Sequence, residues 1–186
     1  RRVLFRSLTS SQNDAIANLR ALFSSYGLGS EIADAITEMA KKGYSSDTIS
    51  LIAQDPNSTD PLALAFQKRF AGNKARIDQG LAPLTPSQYL SMEDTYNQIL
   101  RDAGLPKGFY DSRSQFADWI GSNVSATTLS KKVAAAKDLY FNSDPFYIQE
   151  LQKQGLDQGS IIAHILDSKS ALPLIEKQVG ALKIGA

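Results

Sequence analysis

The sequence predicts an all-α protein, about ten short helices arranged in capped αα-hairpins with no sheet. Three observations carry that expectation. First, glycines recur with an apolar residue immediately after them and another four positions before: Gly27-Leu28 with Phe23, Gly43-Tyr44 with Met39, Gly104-Leu105 with Leu100, and Gly155-Leu156 with Leu151. This is the pattern of a Schellman helix stop, in which glycine takes the left-handed conformation without a Cβ penalty and the next residue folds back onto the last turn. Second, Asp60-Pro61, Thr85-Pro86 and Asp144-Pro145 each set a capping oxygen before a proline suited to the first helical position. Third, apolar residues between these signals recur every three or four positions, and nothing alternates convincingly at period two.

Taken in order, the first helix is expected over 11–26 and ends at Gly27. A second, 31–42, stops at Gly43, and a third covers 46–54 before the polar, Pro-containing turn 55–60. Asp60-Pro61 starts a helix at 61–70, followed by 72–79, whose stop at Gly80-Leu81 has Arg76 where an apolar partner would sit. Thr85-x-x-Gln88 fits a capping box for 86–103, along which Tyr89, Met92, Tyr96, Ile99 and Ala103 share a face. Ser112-x-x-Gln115 opens 113–121 in the same way, and Leu129, Val133, Ala136 and Tyr140 mark 126–141. A helix at 145–154 follows Asp144-Pro145, and the last span, 158–181, is expected to break near Pro173.

Shifting the chain by 112 positions superposes two of these hairpins, pairing Ile36 with Ile148, Glu38 with Glu150, Met39 with Leu151, Lys41 with Lys153, Gly43 with Gly155, Ile49 with Ile161 and Asp55 with Asp167. An internal duplication would do this; so would the likeness any two capped hairpins share, which is the simpler account. Residues 55–60 are the expected boundary between an N-terminal helical unit, 8–55, and a main helical domain, 60–186; loop 105–112 is a second candidate hinge.

Arg1-Arg2-Val3-Leu4-Phe5-Arg6-Ser7 reads as in-frame translation of a sequencing ligation adapter, AGA CGT GTG CTC TTC CGA TCT, so residues 1–7 are set aside from fold reasoning. Removing those three arginines from the 20 basic residues leaves 17 against 19 acidic ones, a net charge of −2. The balance then no longer favours a nucleic-acid partner. The final helix runs to Lys183-Ile184-Gly185-Ala186 without a polar tail, and truncation at the C-terminus is expected as well. With 42% apolar residues the chain has the means to build a core. No window approaches the ~18 to 20 continuous apolar residues of a membrane span. The absence of cysteine removes disulfides, thiolate nucleophiles and Cys-based zinc sites together.

Chemistry-bearing groups are sparse. His164 is the sole histidine and sits among Ile161, Ile162, Ile165 and Leu166, so it supplies neither a multi-His metal site nor an evident triad. Of the paired carboxylates, Glu93-Asp94 point to different helix faces, Asp34 and Glu38 share a solvated side, and Asp111 with Asp118 is the remaining pair. Asp55-x-Asn57-x-Thr59 imitates the start of a calcium loop but has Asp60 in place of its glycine and Phe66 in place of its bidentate Glu, so capping is expected instead. Lys68 to Arg76 is basic with an aromatic, read as a solvated helix connection. Phe109, Tyr110, Phe116 and Trp119 form the densest aromatic region. Core packing is the expected role, and these four are the candidate partner contacts if any local patch serves that purpose. No catalytic, metal or cofactor residue is expected.

The stretch Arg69-Phe70, Arg76, Gly80-Leu81-Ala82-Pro83-Leu84-Thr85, Tyr89-Leu90 and Glu93, continued by Gly104-Leu105-Pro106 and Gly108-Phe109-Tyr110-Asp111, resembles virion proteins of tailed bacteriophages, often encoded in the tail module. The run Asp167, Ala171-Leu172-Pro173-Leu174-Ile175-Glu176-Lys177-Gln178 is similar to them too. The resemblance implies a non-enzymatic structural segment of a larger virion protein, with other virion proteins as partners, assembled in the host cytoplasm into the tail or capsid interior. It carries over no catalytic residue. The rival expectation is a helical module of, or fused to, a phage cell-wall-lysing enzyme; nucleic-acid packaging is a third.

Overall fold

The computed structural model describes residues 9–110 and 112–184. Among them are eleven α-helices, one 3-10 turn and no strand, so the fold is all-α. The helices are α1 Ser10–Ser25, α2 Glu31–Lys41, α3 Ser46–Gln54, α4 Pro61–Arg69, α5 Gly72–Asp78 and α6 Pro86–Asp102; after a 3-10 turn at Arg113–Phe116 come α7 Ala117–Gly121, α8 Ala126–Phe141, α9 Pro145–Lys153, α10 Gln158–Leu166 and α11 Ser168–Ile184. The adapter-like heptapeptide, Asp111 and the last two residues lie outside the described residues.

The five glycine stops close as the sequence requires. Gly27, Gly43, Gly80, Gly104 and Gly155 all have positive φ, between 75° and 93°. In each the following amide donates back five positions: Leu28 to Phe23, Tyr44 to Met39, Leu81 to Arg76, Leu105 to Leu100 and Leu156 to Leu151, at 2.9–3.2 Å. A sixth stop has no glycine. Asn123 takes φ 54° after α7, and Val124 N–H donates to Trp119 O at 2.9 Å. Asparagine is among the few other residues at ease there, and a search keyed on glycine passes over it.

Helix starts are equally explicit. Asp60 Oδ1 accepts from Leu62 N and Asp144 Oδ1 from Phe146 N, each with proline at the first helical position. Thr9 and Gln12 form a reciprocal capping box on α1. Ser112 N–H donates to Gln115 Oε1 at 2.8 Å, one half of the expected box.

The last expected span is corrected: the break falls at Asp167, not at Pro173, which lies inside α11. Asp167 ends α10 in an extended conformation, φ −155° and ψ 95°, and its Oδ1 accepts from Ser170 N at 3.2 Å to start the next helix. A side chain that ends one helix and caps another outweighs the single intrahelical donor that proline lacks.

The chain forms two compact units, residues up to Ser87 and residues from Gln88 onward. Asp55 to Asp60, the expected boundary, is instead a turn inside the first unit: Gln67 Nε2 donates to Asp55 O and Ser58 O, fastening the turn to α4, and α3 packs on α4. In the first unit, Phe23, Ile36, Ile49, Leu62 and Ala63 are fully buried, and Phe23 meets Phe66 edge to face and Phe66 meets Phe70 at a tilt, with centroids 6.1 and 4.6 Å apart. In the second, α10 packs against both α8 and α11, and Tyr89, Tyr96, Leu100, Phe109, Ile120, Leu129 and Ile162 are buried. Among the described residues no helix is long and apolar enough to cross a membrane.

Candidate functional site

The aromatic region around residue 110 folds inward. Phe109, Tyr110 and Phe116 are buried, while Trp119 is half-buried. Tyr110 stacks on Trp119 with centroids 4.1 Å apart and on Phe116 at 5.6 Å, and Phe109 meets its edge at 4.9 Å. As a partner surface, Phe109, Tyr110 and Phe116 are therefore withdrawn, because each other's rings cover them; Trp119 alone keeps an accessible edge.

Arg101 builds the loop that delivers these rings. Its Nε donates to Asn97 Oδ1 at 3.1 Å, its Nη1 to the carbonyls of Leu105 and Pro106, and its Nη2 to the carbonyl of Phe109. One guanidinium thus gathers three loop carbonyls, a use of its fixed fork of donors that a lysine cannot copy. The sequence signal was an arginine in the last turn before Gly104-Leu105-Pro106, which passes for an ordinary surface residue at the helix C-terminus.

Tyr110 has φ 54°, uncommon for a bulky side chain and costing of order 1–3 kcal/mol. Its hydroxyl donates to Asp167 Oδ2 at 2.6 Å, and Ser170 Oγ donates to the same oxygen at 2.7 Å. Burial raises the Tyr110 phenol well above its ordinary range, and the hydrogen bond to Asp167 raises it further. For Asp167 burial also acts upward but is outweighed by hydrogen bonds from the Tyr110 hydroxyl, the Ser170 hydroxyl and the amides of Ser170 and Lys169, so the carboxyl lies below its ordinary value. A carboxylate so stabilised is a poor base and a phenol so raised a poor nucleophile. The trio is a clamp joining the 105–110 loop to the α10–α11 junction.

Beside it lies an open cleft of about 390 Å³ lined in part by Trp119, Lys132, His164 and Asp167. His164 and Lys132 are exposed there. The other carboxylates do not assemble. Glu93 is buried while Asp94 is exposed, Glu38 accepts from Lys41 Nζ at 2.9 Å and is lowered by that bond, and Asp118 is exposed with Asp111 outside the described residues. Asp55 Oδ1 accepts from Asn57 N at 2.9 Å, a turn bond in place of a calcium loop. Among the described residues no three His, Cys, Asp or Glu side chains converge as a metal site would need.

The basic segment divides by direction. Arg69 donates to Tyr26 O at 2.6 Å and lies 5.0 Å from the Phe70 ring, and Arg76 is buried and donates to Ala82 O at 3.0 Å. Lys68 and Lys74 are exposed and border a groove of about 540 Å³ between α4 and α5, with Pro56, Leu64, Ile77 and Pro83 among its apolar walls. Asn73 fastens one wall by exchanging two hydrogen bonds with the backbone of Leu84.

The surface feature that sequence reasoning missed is the corner between α8 and α9. Leu139, Phe141, Phe146 and Tyr147 are 59–69% exposed, four large apolar side chains within nine residues. Exposed apolar residues scattered singly need no explanation, but these four fall together about one helix–helix turn. The run Tyr140-Phe141 and Phe146-Tyr147 is as aromatic as 109–119, and helical periodicity alone did not distinguish which of the two would be buried.

No known protein family matches the chain, and neither curated proteins nor solved structures show a significant match to it.

Proposed function

We propose that this chain is a non-enzymatic structural segment of a tailed-phage virion protein, acting through protein–protein contacts. The observation that carries the interaction role is the exposed α8–α9 corner, where aromatic side chains suited to an interface core stand in water. The helices at the corner suit it further, because Ser125 and Asp144 cap the starts of α8 and α9 and Gly155 closes the end of α9, which holds such a surface in one geometry and limits the entropy lost on docking. The virion setting rests on the resemblance in the segments 69–93, 104–111 and 167–178.

Antibody raised against the chain, applied to gradient-purified particles of a tailed phage carrying the gene, is expected to label the particle. Absence from purified particles would overturn the virion setting. Release of soluble peptidoglycan fragments by the purified chain would overturn the non-enzymatic role in favour of a cell-wall-lysing module.

A further inference from the structure

Building on that interaction role, we propose that the α8–α9 corner of one copy docks in the α4–α5 groove of a second copy of this chain. The two surfaces match in kind. The corner exposes Phe141, Phe146 and Tyr147 to solvent; the groove is an apolar recess of about 540 Å³, within the range that takes a compact apolar group.

They also match in charge. Residues 138–150, which make the corner, contain Asp138, Asp144 and Glu150 and neither lysine nor arginine. The charged side chains that line the groove are Lys68 and Lys74 against Asp78, Arg69 and Arg76 being turned to the carbonyls of Tyr26 and Ala82. Within each copy most of these charges are already engaged: Asp144 caps α9, Glu150 pairs with Lys153 at 2.6 Å, and Lys74 pairs with Asp78 at 3.2 Å. Asp138 and Lys68 are exposed and make no side-chain bond with any described residue of their own copy, one on each surface. Opposite charges at the rim of an apolar contact set its register and speed its encounter.

A patch that meets a different patch on the next copy is a heterologous contact, so each added copy presents a fresh corner and a fresh groove. The assembly therefore grows into a ring or a filament, the kinds of repeat a virion structural protein builds.

Sedimentation velocity of the 186-residue chain over a wide concentration range tests this. The wild type is expected to shift from monomer to dimer and larger species with concentration, and the association to weaken about tenfold between low and high salt. Lys68→Glu alone, and Phe146→Ser with Tyr147→Ser, should each be monomeric while keeping their helical circular dichroism. Mixing those two variants should restore a dimer and nothing larger, since only one groove and one corner remain intact; adding Asp138→Lys to Lys68→Glu should restore growth. A wild type monomeric at every concentration, oligomers indifferent to both sets of substitutions, or a mixture that stays monomeric would overturn the docking. None of those results bears on whether the chain is found in purified particles, so the virion reading stands or falls separately.

Discussion

The hairpins α2–α3 and α9–α10 lie 112 positions apart and share their local design but not their packing. Adding 112 to the bounds of α3 gives those of α10, Gly43 and Gly155 both close the first helix with φ near 90°, and Asp55 and Asp167 both end the second in extended conformation. Yet α2 buries Ile32, Ile36, Met39 and Ala40, whereas α9 buries nothing completely. The equivalent α9 positions explain it: Ile148 and Leu151 keep two of the four apolar places, while Asp144 and Gln152 replace the other two. At the same time the exposed Asp34 and half-buried Ala35 correspond to Phe146 and Tyr147. α9 thus keeps only Ile148 and Leu151 against the core and carries Phe146 and Tyr147 outward. Caps and stops determine where a helix begins and ends; the angular position of its apolar residues determines what it touches.

The strongest way to break this comparison is to truncate the shared isoleucine in each hairpin. Ile36 has no exposed surface and Ile148 is half-buried at the edge of the Tyr140, Leu156 and Ile161 cluster. Ile36→Ala should cost the first unit about 2–5 kcal/mol, the range for a buried aliphatic that leaves a cavity. Ile148→Ala should cost the second unit less than about half of that, because a site open to water collapses or hydrates rather than leaving a void. Denaturant unfolding of both variants measures the difference; equal losses would mean that α9 is packed as tightly as α2.

That contrast also shows what the sequence made legible. Helix bounds were readable because they depend on residues within six positions of one another: Gly155 and Leu151, Asp60 and Leu62. The burial of Phe109, Tyr110 and Phe116 and the exposure of Phe141, Phe146 and Tyr147 were not, since both runs are aromatic and only contacts made by distant residues separate them. Tyr110 is buried through Asp167, 57 positions away. Likewise Asp167, the true break in the last span, looked like one more polar residue because its capping role depends on geometry that Pro173 seemed to dictate. The groove, assembled from residues between Gln54 and Pro83, had no sequence signal beyond the two lysines on its rim.

A sharper test sits in the first turn of the second helix of each hairpin, where Asp47 and Gly159 are equivalent. A Cβ on Gly159 would lie 2.6 Å from the carbonyl oxygen of Gly104 and 3.2 Å from the Pro106 ring. Glycine to alanine in a helix ordinarily stabilises, by up to ~1 kcal/mol. Here the obstacle is backbone, which cannot swing aside, so Gly159→Ala should instead destabilise the second unit by about 1–3 kcal/mol. Asp47 is exposed, and Asp47→Ala should lose no more than the ~0.3–1 kcal/mol that an acid at a helix start contributes. Thermal unfolding of the pair separates the two; a neutral Gly159→Ala would mean that α10 does not approach the 104–106 loop as closely as described.

The smallest effect concerns the aspartates that end the two hairpins, and it is read most clearly from pH. Asp55 is exposed and serves one turn amide, so Asp55→Asn should change stability by no more than about 0.5 kcal/mol. Asp167 accepts from Tyr110, and Tyr110→Phe should cost about 1 kcal/mol at neutral pH. The two partners place the loss at opposite ends of the scale. Because the Tyr110 phenol is raised above its ordinary 10.0 in the folded chain, its contribution is fully present below pH 10 and declines above it as the unfolded chain ionises first. Because the Asp167 carboxyl is lowered from 3.8, its contribution is fully present above that value and declines as the pH falls through the folded value. Tyr110→Phe should therefore flatten part of the alkaline limb of the stability profile and Asp167→Asn part of the acid limb. An alkaline limb identical in wild type and Tyr110→Phe would show that the phenol is hydrated rather than clamped, and Asp167 would then be held by Ser170 without the 105–110 loop.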